Sequence, residues 1–351
     1  MKITPAPEFK HLVSFVPNKI EPMHNWYYYK EGYSKRLVEH FIDKFGIARE
    51  HVVLDPFCGV GTTPLTCKQH EIKAIGFDSS PLCTFVSRVK TTNYNIEELE
   101  KATEEILKMK PERTDVPQNK WLKLAFAPKV LEDIIYYKMH LFPMKDEKIR
   151  NFFILALMNA SMMSSYVEKD GAFLRVRKKH VPPVKKAFDY TVKKMVKEYK
   201  KSNMPETEIK IDVGDARNMD LEDDSVNFII TSPPYLNKIE YTQIYRTEYA
   251  LFFRQPDTKI STVIENQEEN YFRDMKQVLE EMRRVCTGKA AVVIGGGCFP
   301  DHVVEVDTEF AKLAETVGWN VDNILVARNS WCTKARTVKV GQVRESIVIL
   351  S

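Results

Sequence analysis

Seven short stretches of this chain read as strands, several of them continuous Val/Ile/Leu runs: His51–Leu54, Lys73–Phe77, Glu208–Val213, Val226–Thr231, Lys289–Ile294, Val321–Ala327 and Glu345–Leu350. Runs of this kind mark strands covered on both faces. Around most of them the apolar positions recur at helical spacing, over Tyr33–Phe45, Thr63–His70, Tyr271–Val285 and Val306–Val317. The alternation predicts an α/β fold built on a doubly wound, mainly parallel, seven-stranded sheet. The last two strands are joined by the polar stretch Asn329–Arg344, too short for a crossover helix. An antiparallel terminal hairpin is therefore expected.

One interval breaks the alternation. Residues 95–205 show no convincing strand ladder and several helix patterns: one capped by Asn95 and running through Ile106, then Pro128–Leu141 and Lys148–Tyr166, then a Lys-rich helix to Lys201. This predicts a helical insertion between the second and third strands. The remainder divides into an N-terminal arm and helix (1–50) and a sheet domain (51–94 and 206–351).

With 351 residues, ordinary apolar and charged fractions and no run long enough for a membrane span, the chain suits one large or two modest globular domains. The segment Met1–Lys10 lacks a signal-peptide core. Six cysteines without CxxC pairs point to a reducing cytoplasm and unpaired thiols. Eight histidines without ligand spacing give no metal set. The net charge of +4 is uneven: Lys169–Lys201 holds twelve Lys/Arg against three acids. Such a segment is either a solvated helix face or a phosphate-contacting surface.

Two motifs carry the chemistry. VNFIITSPPY ends an apolar strand in consecutive prolines, leaving a hydroxyl (Ser232), a fixed carbonyl (Pro233) and a ring (Tyr235) where open α/β sheets bind ligands. Far upstream, HVVLDPFCGVGTT passes from a strand through Asp55 into a G-x-G turn before a helix, which lets the backbone lie close to a ligand. A dinucleotide fingerprint is the competitor, and Asp78, 19 positions after Gly59, suits ribose hydroxyls in either case. Pro64 in place of the third glycine opposes a dinucleotide, and Asp55 would repel a pyrophosphate while welcoming an ammonium. S-adenosylmethionine fits better. Asp215 closes a further strand, where it suits an adenine amine or merely a surface turn.

The pieces DPFCGVGTT, GFDSSP, GDARNMD and TSPPYLNKIEYTQIY, in that order, resemble an amino-methyltransferase of the N4-cytosine/N6-adenine DNA class. The resemblance implies a Rossmann-like methyltransferase sheet, S-adenosylmethionine as cofactor and nucleic acid as partner, without membrane or metal. It places the cofactor on Asp55, Phe57, Gly59, Gly61, Thr62, Thr63, Asp78, Ser79, Asp215 and Ala216, with Tyr29 and Tyr33 of the N-terminal segment completing the methionine pocket. Catalysis falls to Ser232, Pro233, Pro234 and Tyr235. Nucleic-acid contacts are expected from Asn237 and Glu240 beside the tetrad, from Arg175, Arg177, Lys178, Lys179, Lys185 and Lys186 of the insertion, and from Lys334 and Arg336 of the last connection. The stripe Tyr241, Tyr245 and Tyr249 reads as core packing.

Serine at the head of SPPY resembles cytosine-N4 more than adenine-N6 enzymes. Pro-Pro-Tyr stands where a carbon-5 enzyme would carry its nucleophilic cysteine, which excludes that chemistry. The expected order is therefore N4-cytosine methylation of DNA, the same reaction on structured RNA such as ribosomal RNA, N6-adenine methylation, and last a non-catalytic nucleic-acid-binding protein. No recognition domain is expected beyond the final strand.

Overall fold

The computed structural model describes residues 1–170, 173–236, 241–253, 268–334 and 338–351. In chain order its strands are β1 (Ile3–Pro5), β2 (Val52–Asp55), β3 (Lys73–Asp78), β4 (Val167–Asp170), β5 (Phe173–Val176), β6 (Ile209–Val213), β7 (Phe228–Thr231), β8 (Ala290–Gly295), β9 (Gly297–Cys298), β10 (Val303–Val304), β11 (Val321–Lys334) and β12 (Val338–Leu350). The helices are α1 (Lys35–Phe45), α2 (Thr62–Gln69), α3 (Pro81–Thr91), α4 (Ile96–Lys108), α5 (Lys120–Ala125), α6 (Pro128–Leu141), α7 (Glu147–Met163), α8 (Val184–Ser202), α9 (Tyr241–Ile244), α10 (Arg246–Phe252), α11 (Glu268–Val285) and α12 (Val306–Thr316).

The main sheet runs β1-β11-β12-β8-β7-β2-β3-β6. From β8 to β6 neighbours pair in parallel, and β12 is antiparallel to both β8 and β11. Because β2 and β7 lie side by side while the chain leaves them in opposite directions, a crevice opens beyond their carboxyl ends. Adjacent residues on one strand serve opposite faces. Val53, Ile230, Val293 and Ile347 pack with Leu37 and Phe41 of α1. Leu54, Ile229, Val292 and Val348 pack with Met275 and Leu279 of α11 and Phe310 of α12.

The sheet differs from the expected one in three places. It has eight strands, not seven. The added strand, β1, pairs in parallel with β11 (Thr4 opposite Leu325) and ends at Pro5, a residue tolerated on an edge because no neighbour needs its N–H. The terminal hairpin forms as predicted, but its strands meet as far out as Lys334 and Val338. The outer halves are polar, so no apolar alternation signalled them. The basic segment of the insertion also contains a small antiparallel pair, β4 with β5, hidden by its shortness. Cys298 and Cys332 are joined in a disulfide, which corrects the expectation of unpaired thiols. Cys58, Cys67, Cys83 and Cys286 are free and buried.

Helices α4 to α8 do not form a detached body. Phe152, Leu155, Phe188 and Met195 share one apolar cluster with Phe15, Met23 and Trp26 of the N-terminal segment, Val86 of α3 and Tyr245 and Tyr249. Asn95 Oδ1 accepts from the N–H groups of Glu97 and Glu98, and Asp146 accepts from that of Ile149, so α4 and α7 each start at a side-chain cap. Glu198 of α8 holds the N-terminal segment in place. Its carboxylate accepts from the Met23 N–H (3.1 Å), Asn25 Nδ2 (3.2 Å) and the indole N–H of buried Trp26 (2.9 Å). Glu198→Ala leaves that indole without an acceptor. It should lower stability in urea unfolding by about 2 kcal/mol and make the segment before α1 the first site of proteolytic cleavage.

Candidate active site

Beyond β2 the chain must turn sharply to enter α2, and two glycines make this possible. Gly59 (φ +49°) holds a left-handed conformation that other residues rarely adopt, and a Cβ there would crowd the Tyr29 ring at 3.3 Å. Gly61 (φ +80°) backs directly onto α3, where a Cβ would meet Ser87 Oγ at 2.3 Å. The loop is held from β3: the Gly59 N–H donates to Asp78 Oδ2 (2.9 Å), and the Ser80 N–H donates to Asp78 Oδ1 (2.8 Å). Burial raises the Asp78 carboxyl to about 6 against these bonds.

Asp55 joins the loop to the next strand. Its Oδ1 accepts from the Thr231 hydroxyl (2.6 Å) and the Phe57 N–H (3.2 Å), and its Oδ2 accepts from the Tyr33 hydroxyl (2.8 Å). Thr63 Oγ1 lies 2.6 Å from that same hydroxyl and 3.2 Å from the Ile230 carbonyl. The carboxylate is 1% exposed. Burial raises it to about 6, while the bonds from Thr231, Tyr33 and Phe57 act the other way.

The SPPY loop follows Thr231 immediately and is pinned at both ends of its Pro-Tyr half. Tyr271 of α11 donates to the Pro234 carbonyl (3.1 Å). The Tyr235 hydroxyl donates to Glu345 Oε1 (2.7 Å), and its ring lies flat against Gly295, where a Cβ would fall 2.4 Å from two ring carbons.

These loops enclose a cavity of about 430 Å³, within the usual range for a small-molecule site. Of the sequence-predicted residues, Tyr29, Tyr33, Phe57, Gly59, Thr62, Asp78, Ser79, Ala216, Ser232, Pro233, Pro234 and Tyr235 line it together. Gly61 and Thr63 stand behind the wall. Two expectations need correction. Asp55 does not face the cavity to receive an ammonium, because the protein's own donors enclose it. Asp215 does not line the cavity, although its neighbours Gly214 and Ala216 do. Its oxygens accept from Arg217 Nε and Nη2 at 2.7–3.2 Å. Burial pushes the Asp215 carboxyl up, and the Arg217 bonds more than reverse this, leaving it below the usual value.

The wall contains residues that the sequence did not mark. Tyr245 and Tyr249, read as core, are buried but also line the cavity. Tyr245 stacks on Tyr29 (5.4 Å between centroids), donates to Glu31 (2.6 Å) and carries Lys169 Nζ over its ring at 3.8 Å. Lys169, on β4, also pairs with Glu248 (2.8 Å), a carboxylate 1% exposed that accepts from the Tyr27 hydroxyl as well. The insertion hairpin thus reaches the cavity wall. Arg328 and Glu345, far apart from SPPY in sequence, complete the opposite side. Only the register of β11, β12 and β8 brings them there.

Of the expected nucleic-acid contacts, Arg175, Arg177, Lys178, Lys179 and Lys186 are exposed. Lys179 pairs with Glu168 (2.8 Å). Lys185 is instead committed within the protein, to Asp189 and the Leu107 carbonyl, and is corrected from phosphate contact to packing. Asn237, Glu240, Arg336 and the Lys334 side chain lie outside the described residues. Among the described residues no cluster of three His, Cys, Asp or Glu is gathered for a metal, and no helix is long and apolar enough to cross a membrane.

A family model described as DNA methylase, of the N6/N4 type, matches residues 17–88, from the arm through the glycine loop and β3. The Type II methyltransferase M.BsoBI of Geobacillus stearothermophilus is 30% identical over 279 residues, 69% of this chain and 55% of that protein. The chain belongs to the N4-cytosine/N6-adenine DNA methylase family. The Type II methyltransferase M.AvaI of Nostoc is 25% identical over 317 residues, 77% of this chain and 64% of that relative. The chain therefore spans between half and two thirds of the length of these curated relatives. Among solved structures, TrmN from Thermus thermophilus aligns with 96% of this chain and 52% of its own at 10% identity and a TM-score of 0.37. S-adenosylmethionine is the cofactor that the family implies. The residues of this chain fit it: a backbone bared at Gly59, a carboxylate on the wall at Asp78 and aromatic rings from Tyr29 and Phe57 converge on one cavity.

The raised Asp55 carboxyl sets a pH test. A carboxyl whose folded value (about 6) exceeds its ordinary value (3.8) favours the folded state below the latter and loses that contribution as pH rises through the former. Asp55→Asn carries no titrating group. Its stability should therefore gain on the wild type by about 2 kcal/mol between pH 4 and pH 7 in paired urea unfolding curves. A difference that stays constant with pH would mean that Asp55 titrates normally.

Proposed function

We propose that this methylase transfers a methyl group from S-adenosylmethionine to the exocyclic N4 amine of cytosine in DNA. The observation that carries the reading is the SPPY loop, immobilised by Thr231, Tyr271 and Glu345 on the cavity that the glycine loop also lines. In this reading residues 51–94 and 206–351 form the catalytic body, 1–50 complete the cofactor pocket, and 95–205 recognise the substrate. The family description favours DNA over RNA. The serine that heads the tetrad favours cytosine.

When bound, the cofactor supplies an electrophilic methyl on a sulfonium. The chain's own residues do the rest by placement. An exocyclic amine is a poor nucleophile because its lone pair is delocalised into the ring. The Ser232 hydroxyl and the Pro233 carbonyl accept its two hydrogens, which holds the nitrogen nearer tetrahedral and directs its lone pair outward. Tyr235 offers a flat face for the base, which in a duplex must leave the stack to reach it. The Thr231–Asp55 bond fixes the strand end from which both acceptors project, so little reorganisation remains at the moment of reaction. Arg177, Lys178 and Lys186 supply exposed positive charge for the phosphate backbone.

With DNA as substrate, digestion of the labelled product should yield N4-methyldeoxycytidine; N6-methyldeoxyadenosine, or label in RNA alone, would overturn the assignment. Ser232→Ala should lower kcat by roughly 10²- to 10³-fold and leave cofactor affinity unchanged, as measured by single-turnover transfer beside calorimetry. Replacing Arg177, Lys178 and Lys186 together by glutamine should weaken DNA binding and reduce the slope of log K against log salt by roughly 2 to 3. An unchanged slope would assign them to a solvated face.

A further inference from the structure

Across the sheet beside the SPPY loop, Arg328, Glu345 and Gly295 stand in one row, set by the pairing of β11 with β12 and of β12 with β8. The row makes a seat for one side chain. The Tyr235 ring lies on the bare backbone of Gly295, and its hydroxyl reaches Glu345 Oε1 at 2.7 Å. Arg328 Nε donates to the other oxygen, Oε2. The strand beneath is itself held: Arg344 and Ser346, on either side of Glu345, both bond Asp307 of α12 (2.7–3.0 Å). Glu345 is 8% exposed, and Tyr235, Arg328 and Glu345 all line the cavity.

Burying a carboxylate is a costly way to hold a ring that packing on Gly295 would already cover. What the carboxylate adds is direction. Contact with Gly295 sets the height of the ring but leaves it able to pivot, and the bond at the far end of the phenol removes that freedom. We propose that Glu345, oriented by Arg328, is a positioning residue for the methyl transfer, fixing the plane of Tyr235 on which the target base stacks. The proposal rests on the reading of SPPY as the catalytic motif. Glu345 contributes to the rate only through the Tyr235 hydroxyl, which makes its effect separable from a role in folding.

The experiment is a double-mutant cycle on kcat and on KM for DNA, with cofactor affinity measured in parallel, using the wild type, Tyr235→Phe, Glu345→Ala, the pair combined, and Glu345→Gln. Tyr235→Phe and Glu345→Ala should each lower kcat about 10- to 100-fold with cofactor affinity intact. The double variant should be no slower than the worse single one. Glu345→Gln should recover most of the rate, because its amide oxygen still accepts from the phenol. Losses that multiply in the double variant, or a glutamine as slow as the alanine, would overturn the proposal. Should Glu345→Ala lose cofactor binding, Tyr235→Phe, which removes a single hydroxyl, decides alone, and an unchanged kcat would overturn it. A wild-type protein that transfers no methyl to any nucleic acid would instead refute the underlying reading, and the proposal with it.

Discussion

Everything at this site hangs on one enclosed carboxylate. Asp55 receives a hydroxyl from the N-terminal segment, a hydroxyl from the last residue of β7 and an N–H from the loop that leaves β2. Three parts of the chain that are remote in sequence are thereby fixed relative to one another within the length of a hydrogen bond. Those parts carry the pocket-completing tyrosines, the SPPY motif and the glycine loop. Its ionised form accepts from all three donors at once, which a neutral side chain of the same size cannot do. Burial opposes that ionisation, so the knot holds its partners at a cost that is met in the folding of the whole sheet.

The surroundings of this knot show how a doubly wound sheet is adapted to enclose a cavity. On one side of the β2/β7 crevice the glycines let backbone approach the cavity. On the other, the antiparallel hairpin brings a charged row against the ring of Tyr235. The parallel strands supply the opening, and the antiparallel ones supply a wall that parallel connections, with their crossover helices, would not place there.

The alternation of strand and helix, the glycine turn and the tetrad were legible because each lies within one short run of the chain. What was not legible depended on pairing over distance. An acid at a strand end has the same appearance whether it lines the cavity, as Asp78 does, or is enclosed by Tyr33 and Thr231, as Asp55 is. Asp215 left an adenine contact and a surface turn both open although its partner, Arg217, stands only two positions on, because nothing in the spacing says which way an arginine turns. Arg328, Glu345 and Gly295 meet only through strand register. Strand β1 escaped notice because three edge residues ending in proline carry no pattern. The stripe of Tyr245 and Tyr249 was correctly read as buried, yet burial and a place on the cavity wall proved compatible.

The bond between Lys169 and Glu248 bears on how freely the insertion can be exchanged. Lys169 belongs to the hairpin of the insertion, and Glu248 to the short helix behind the cavity wall, where it is shut away from water. An insertion transplanted from another chain without a cation at that point would strand a buried negative charge beside Tyr27 and Tyr245. The insertion and the cavity wall are therefore not freely interchangeable modules in this architecture. A chain that changes its insertion must either keep a cation at that point or rebuild the wall behind the cavity, so that one contact constrains both.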